Sequence, residues 1–303
     1  MQLDRTSIAI RERGMLESFD LALHVARIHF VPLLVLATIG ILPFLLIDRL
    51  ALGWLVLEDP RDYSPSEYAV IQMRYIASLV LLIFVQAPLA TAMMTTWLGH
   101  AVFAERPPIA YGLKKTYGSL AKLLWCQGLL RLTLPITLSF CWLSINDDGV
   151  ELFVLFLLST YLALVRSLRP FLNEIVLLEG NPLGASADSH VVTVAKRNAS
   201  LHEAAGGALF FEFIGSGMLA TCLTIALFYT FVFLQGIMLN RWRIGPTLLL
   251  YGLPASLWAS AMLLTVFRFL CYLDLRIRQE GWAVELGMRA EAARLKSDLM
   301  AGA

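Results

Sequence analysis

Charged side chains set inside long apolar stretches are the residues of this sequence with the most chemistry to offer. Arg131 and Glu212 lie within two such stretches, Arg166, Arg169 and Glu174 close a third, and Arg268 ends a fourth. An ionisable side chain at the centre of a bilayer costs about 2.5–3.5 kcal/mol, so each one needs a partner or a purpose. Arginine has two ready uses. Its planar fork pairs with a carboxylate, which fixes helix register, and it suits the oxygens of a phosphate. Arg131, Arg166, Arg169, Glu174, Glu212 and Arg268 are therefore expected to form one intramembrane polar cluster in which Glu174 and Glu212 offset some of the arginines. Register-fixing ion pairs, a site for a lipid phosphate or solute, and a proton or ion path are the readings open to it, in that order.

Other chemistry is absent from the pattern. There is no G-x-S-x-G, H-E-x-x-H, P-loop or G-x-G-x-x-G string. The five histidines, His24, His29, His100, His190 and His202, have no ligand spacing with one another. Cys126, Cys141, Cys222 and Cys271 stand singly in apolar surroundings and read as buried packing thiols. No catalytic residue, metal site or cofactor is expected. Gln86 and Gln127 are expected to hydrogen-bond across helices.

The elements that must position the cluster are membrane helices. Hydrophobic residues make up 58% of the 303-residue chain and charged residues 16%, against about 25% in an ordinary soluble domain. The mean hydropathy is +0.70. A spanning helix needs about 20 mostly apolar residues, because its backbone must satisfy itself where no water is available. Six stretches meet or approach that length: Phe30 to Ile47, Ile76 to Leu98, Leu123 to Ile145, Val150 to Leu178, Ala208 to Leu239 and Thr247 to Cys271. The predicted fold is an all-α polytopic helix bundle with six transmembrane helices and interfacial amphipathic helices.

Charge sets the expected orientation. Arg5, Arg11, Arg13 and Arg27 precede the first span, Arg106, Lys114, Lys115 and Lys122 follow the second, Lys196 and Arg197 follow the fourth, and the tail adds Arg276, Arg278, Arg289, Arg294 and Lys296. The alternate loops hold fewer, and the one from Leu52 to Gln72 carries Glu58, Asp59, Asp62 and Glu67. The positive-inside rule puts both termini in the cytoplasm. Residues 1 to 27 mix charges throughout, so the first span is expected to be a retained anchor rather than a cleaved signal. On this topology Arg131 and Glu212 lie about 12 Å and about 6 Å into their spans from the cytoplasmic side.

Three domains result: a cytoplasmic or interfacial N-terminal helix (1–29), a six-helix transmembrane domain (30–272) and a cytoplasmic amphipathic tail (273–303). The segment from Met15 to His29 has helical spacing of apolar residues, so it either lies in the membrane interface or packs on the bundle. Pro88 should kink the second span, along which Ala87, Thr91, Thr95 and Gly99 form a small-residue stripe for close helix approach. Glu105-Arg-Pro-Pro-Ile109 and Glu179-Gly-Asn-Pro-Leu183 share an E-x-x-P-[I/L] opening after even spans, a hint of internal duplication.

The most distinctive string is Tyr272-Leu-Asp-Leu-Arg-Ile-Arg-Gln-Glu-Gly-Trp282. At these residues the chain resembles an uncharacterised family of bacterial multi-pass membrane proteins with a Y-x-D-x-R-x-R-x-E-G-[WF] ending. That family is similar to the membrane domain attached to some glycerophosphodiester phosphodiesterases. The resemblance implies a membrane module of the bacterial cytoplasmic (inner) membrane. Asp274, Arg276, Arg278 and Glu280 are its family-like positions, while the phosphodiesterase His-Arg-Gly motif and catalytic barrel have no counterpart. The expected function is non-enzymatic: a scaffold, assembly or regulatory component of a membrane complex, with a transporter or lipid-handling protein as the alternative. Membrane lipids are the expected partners, the cytoplasmic loops and tail are open to a protein partner, and no nucleic acid is expected.

Overall fold

The computed structural model describes residues 14–57, 63–102, 107–131, 133–143, 148–184, 192–203 and 205–280. The first Glu-x-x-Pro opening in part, and the amphipathic tail expected beyond Gly281, lie outside them. The described residues are helical, with no strand among them. Four of the helices are long and apolar enough to cross a membrane: Phe30–Leu57, Pro65–Ala90, Gly206–Leu239 and Leu248–Gln279. Their outward faces carry Leu42, Met73, Phe211, Phe233, Met238 and Tyr251, all more than half exposed. An apolar surface of that extent is stable against lipid and not against water. These are the helices of a membrane protein.

Proline explains where the helices break. The first helix, α1 (Met15–Ile28), is followed after His29 by α2 (Phe30–Leu57). Next, α3 (Pro65–Ala90) starts from a capping box, in which the Ser64 hydroxyl accepts from the Glu67 N–H and the Glu67 carboxylate accepts from the Ser64 N–H. It ends just past Pro88, and α4 (Ala92–Ala101) resumes after Thr91. After α5 (Ile109–Gly118), the third apolar stretch runs through α6 (Leu120–Leu123) and a π-helical segment (Leu124–Leu130) to Arg131, and starts again as α7 (Thr133–Leu143). Pro135 lies four residues after Arg131, where its ring clashes with the Arg131 carbonyl of a continuous helix. The fourth stretch, α8 (Asp148–Leu168), stops before Arg169-Pro170, because a residue preceding proline is pushed out of the α region. It continues as α9 (Leu172–Glu174) and a second π-helical segment (Ile175–Glu179), which ends at Gly180 with φ 71°. That left-handed conformation is one glycine adopts without strain.

The third and fourth stretches are thus broken, not continuous spans as expected. Beyond them lie α10 (Val194–Glu203), α11 (Gly206–Leu239), a π-helical segment (Leu248–Gly252) and α12 (Leu253–Gln279). No break separates span and tail at 272/273, since α12 runs through the Tyr272 string to Gln279.

Helix α12 sits at the centre, and fifteen of its residues are buried, among them Trp258, Phe269 and Tyr272. Helix α1 packs along it through Ser18, Ala22 and Val25, with Phe19 edge-on to Phe267 at 5.9 Å. Leu16, Leu23 and Ile28 are exposed, so the helix both docks on the bundle and presents an apolar edge. Gly40 of α2 meets α3 so closely that a Cβ would lie on the Ala90 carbonyl oxygen, so only glycine fits. The small-residue stripe works similarly. Thr91 accepts from Thr265 of α12 at 2.9 Å, and Gly99 leaves room for Leu178. Cys126 and Cys271 are buried as expected, whereas Cys222 is exposed on α11. Cys141 lies outside the described side chains.

Candidate functional site

The site is assembled on the kink of α3. Pro88 has no N–H, which orphans the carbonyl of Phe84 one turn earlier. Arg166, at the end of α8, donates one guanidinium N–H to that carbonyl and another to Val85 O at 2.7 Å. Its guanidinium also lies over the Phe84 ring, 4.3 Å from the centroid. Asn173 Nδ2 donates to Pro88 O at 2.6 Å, and Gln127 Nε2 donates to Asn173 Oδ1 at 2.5 Å. Both breaks, in the third and fourth stretches, are stitched in this way to the same proline turn. An unpaired backbone group at this depth would cost several kcal/mol.

Around this turn the structure collects most of the expected cluster. Arg131, 7% exposed, donates to the carbonyl of Arg169. Arg268 Nε donates to Glu174 Oε1 at 2.7 Å, and Glu174 is fully buried. Glu174 therefore offsets an arginine as expected. Glu212 does not pair with these arginines among the described residues; it lies on α11 beside the Cys271 thiol and faces the Asp274–Arg278 pair. Arg169 contributes its backbone, and its side chain is exposed.

Arg131, Arg166, Arg268 and Glu212 all line a cavity of about 600 Å³ between α3, α11 and α12. It runs from Leu253 to Arg268 along α12, which spans roughly 22 Å at a helical rise of 1.5 Å per residue. The walls are apolar, with Val80, Ile83, Phe213, Ile225, Leu257 and Leu264 among them. The wall hydroxyls are satisfied internally. Ser216 donates to Phe213 O at 2.9 Å, Thr221 to Gly217 O at 2.9 Å, and Thr224 to Ser260 at 2.8 Å. The arginines are not fully used. Arg166 Nε and Arg268 Nη2 are buried and have no hydrogen-bond partner. The cavity is an apolar tunnel with spare guanidinium donors at one end.

A second network joins the tail string to the Glu-x-x-Pro segment. Arg197 of α10 binds Glu179 with two N–H groups, at 2.7 and 3.0 Å, and also reaches Glu280. Arg276 grips Glu280 in the same two-pronged way, at 3.0 and 2.7 Å. Tyr272 donates its hydroxyl to Glu179 at 2.7 Å. Burial alone would lower the Arg197 guanidinium, but its hydrogen bonds to Glu179 and Glu280 outweigh burial and hold it above its usual value. Burial would likewise raise the Glu280 carboxyl, and the bonds from Arg276 and Arg197 bring it below the carboxylate range. Lys122 Nζ reaches the Gly180 and Asn181 carbonyls at 3.4 Å, so segments on both sides of the third and fourth stretches meet at this end. Asp274 and Arg278 pair separately, at 2.7 Å along one helix face.

Two groups escaped the sequence reading. Asp48, 4% exposed within α2, accepts from Gln86 Nε2 at 2.9 Å. Ending the first span at Ile47 placed Asp48 outside it; Gln86 opposite, in the second span, was the available signal. His202 has no ligand spacing with the other histidines, yet it is buried on α10 and stacked on Phe171 at 5.7 Å. Its Nδ1 lies 2.6 Å from Asn198 O, and its Nε2 accepts from the Phe171 N–H at 3.4 Å. Among the described residues no group of His, Cys, Asp and Glu could hold a metal ion. The chain matches no protein-family model, no curated protein and no solved structure, so its site is read from its own geometry.

Proposed function

We propose that this chain is a lipid-handling protein of the bacterial inner membrane that receives an amphiphile in the cavity between α3, α11 and α12. On this reading six segments enter the bilayer, the third and fourth as broken helices, and both termini are cytoplasmic. The observation that carries it is the cavity itself: about 600 Å³ of apolar wall ending in guanidinium groups. That volume lies within the range of about 300–1,000 Å³ that holds small-molecule ligands. Irregular backbone at membrane depth is tolerated where it lines a cavity, and broken helices beside a midplane site are a feature of transporters. The scaffold role expected from the sequence rests on missing motifs, whereas the cavity is a positive feature that favours the alternative.

The test is to purify the chain in native-lipid nanodiscs and release bound species for mass spectrometry. Retention of an amphiphile that is lost when Ala261 on the cavity wall is replaced by Trp, with the fold kept, supports the proposal. Recovery of bulk lipid alone, identical for both proteins, overturns it. Cysteine labelling from either side at Asn146, Arg243 and the two termini checks the topology, with the first two expected on the side opposite the termini.

A further inference from the structure

The cavity's two ends differ in chemistry, and that difference names a ligand class. Along its length the wall hydroxyls have no free proton to donate, because those of Ser216, Thr221 and Thr224 are given to acceptors within the protein. At the arginine end, three guanidinium groups stand close enough to repel one another. Glu174 is hydrogen-bonded to one of them, through Arg268 Nε, and is near enough to Arg131 to offset part of its charge as well. Arg131 and Arg166 donate to main-chain carbonyls, which are dipoles and carry no net charge. The remaining wall carboxylate, Glu212, faces Cys271 and the Asp274–Arg278 pair. Two buried donors, Arg166 Nε and Arg268 Nη2, and one acceptor, Glu174 Oε2, are left without hydrogen bonds, and both arginine side chains line the cavity. Buried cations in apolar surroundings are strongly disfavoured unless an anion joins them.

We infer that the cavity binds an oxyanion-headed amphiphile with a single apolar chain. This inference rests on the reading of the cavity as an amphiphile site and adds its selectivity. The head, a carboxylate or a phosphate monoester, accepts from Arg166 and Arg268. The chain runs between α11 and α12 towards Ile225 and Leu253. Carboxylate and phosphate oxygens both match the planar guanidinium fork. A quaternary ammonium beside the phosphate would bring a fourth cation to a place that already holds three. The roughly 22 Å of cavity along α12 suits one extended chain with its head.

The experiment measures binding of palmitate, palmitoyl lysophosphatidic acid and palmitoyl lysophosphatidylcholine to the full chain in phosphatidylcholine nanodiscs, by displacement of a fluorescent fatty acid. At least one of the two anionic probes is expected to bind about tenfold or more tightly than the choline probe, the worth of one charge-assisted hydrogen bond. Which of them binds better separates a carboxylate head from a phosphate head. Arg166→Gln should remove that preference. Because Arg268→Gln alone would strand the buried Glu174, the paired variant Arg268→Gln with Glu174→Gln is the second arm, and it too should remove the preference while the protein stays folded. Equal binding of all three probes, abolished by Ala261→Trp, overturns the anion selectivity and leaves the cavity reading standing. Binding of none, with the unmodified chain folded, overturns both.

Discussion

Two arginine-carboxylate assemblies lie within one bundle, and they are completed in opposite ways. In the Glu179–Arg197–Arg276–Glu280 network each guanidinium meets a carboxylate through two N–H groups, and these four groups balance in charge among the described residues. In the cavity cluster Arg131, Arg166 and Arg268 face one paired carboxylate, Glu174, and the rest of their bonding goes to backbone carbonyls or is missing. A saturated network holds segments together and has nothing left to offer a ligand. An unsaturated one at the end of an apolar cavity has donors to spare. The comparison teaches that arginine at membrane depth is diagnostic only once its partners are counted.

The sharpest way to break the comparison is at Glu174. Replacing it with Ala leaves Arg268, 22% exposed, beside Arg131 and Arg166 with no carboxylate on its Nε, and removes the one fully buried member of the pair. Loss of one partner of a buried pair costs about 3–5 kcal/mol. A large fall in the thermal unfolding midpoint in detergent is expected, with partial recovery in Glu174→Gln/Arg268→Gln. If the single and double variants unfold alike, Glu174 does not serve to offset a charge.

Glu179→Gln attacks the other assembly and should cost less. The amide still accepts from Tyr272 and Arg197, but two guanidinium groups then share the single charge of Glu280. Weakening charge-assisted hydrogen bonds of this kind costs about 1.5–3 kcal/mol, reduced by partial exposure, since the Glu179 side chain is 12% and Arg197 21% exposed. The same melting experiment checks it. The prediction fails if the loss equals that of Glu174→Ala.

How far each assembly could be read in advance follows from the range of the interactions. Depth along an apolar stretch is a local property, so Arg131, Arg166 and Arg268 were assigned to one level from residue counts alone. The kink at Pro88 was equally local. The repair of that kink was not, because Arg166 lies 82 residues from Phe84 and only the folded bundle brings them together. Glu179 and the Tyr272 string were both singled out, one as part of a repeat and the other as a tail motif, yet nothing in either string says that Arg197 joins them. The broken third and fourth stretches were read as continuous because hydropathy measures apolar content and is blind to the carbonyl clashes at Pro135 and Pro170.

Acid should weaken the molecule in two stages, and the order separates burial from pairing. Burial, with Arg131 and Arg169 nearby, holds the His202 imidazole below its ordinary value of 6.5. A His with a lowered folded-state pKa protonates more readily when unfolded, so its stability contribution is intact above 6.5 and is lost as pH falls below it. Protonation also removes the Nε2 lone pair that accepts from the Phe171 N–H. Glu280, held below its ordinary 4.5, keeps its contribution above that value and loses it only as pH falls through its lower folded-state pKa. Melting curves from pH 8 to 4 should show a first decline starting near 6.5. His202→Gln is expected to remove that decline and leave the one below 4.5.

The smallest effect belongs to a pair in the same tail string. Asp274 and Arg278 sit one helical turn apart at 2.7 Å, and the Arg278 side chain is 46% exposed. Exposed pairs of this spacing contribute about 0.3–0.5 kcal/mol, because water screens them and two long side chains must be held still. Asp274→Asn should therefore shift unfolding by less than Glu280→Gln does, although both residues belong to the same string. Glu280 differs because it bridges Arg276 on its own helix and Arg197 on another, so its charge ties two elements together, whereas the Asp274–Arg278 pair lies along α12. Equal losses for the two variants would mean that the string acts through its helix as a whole and not through the cross-helix bond to Arg197.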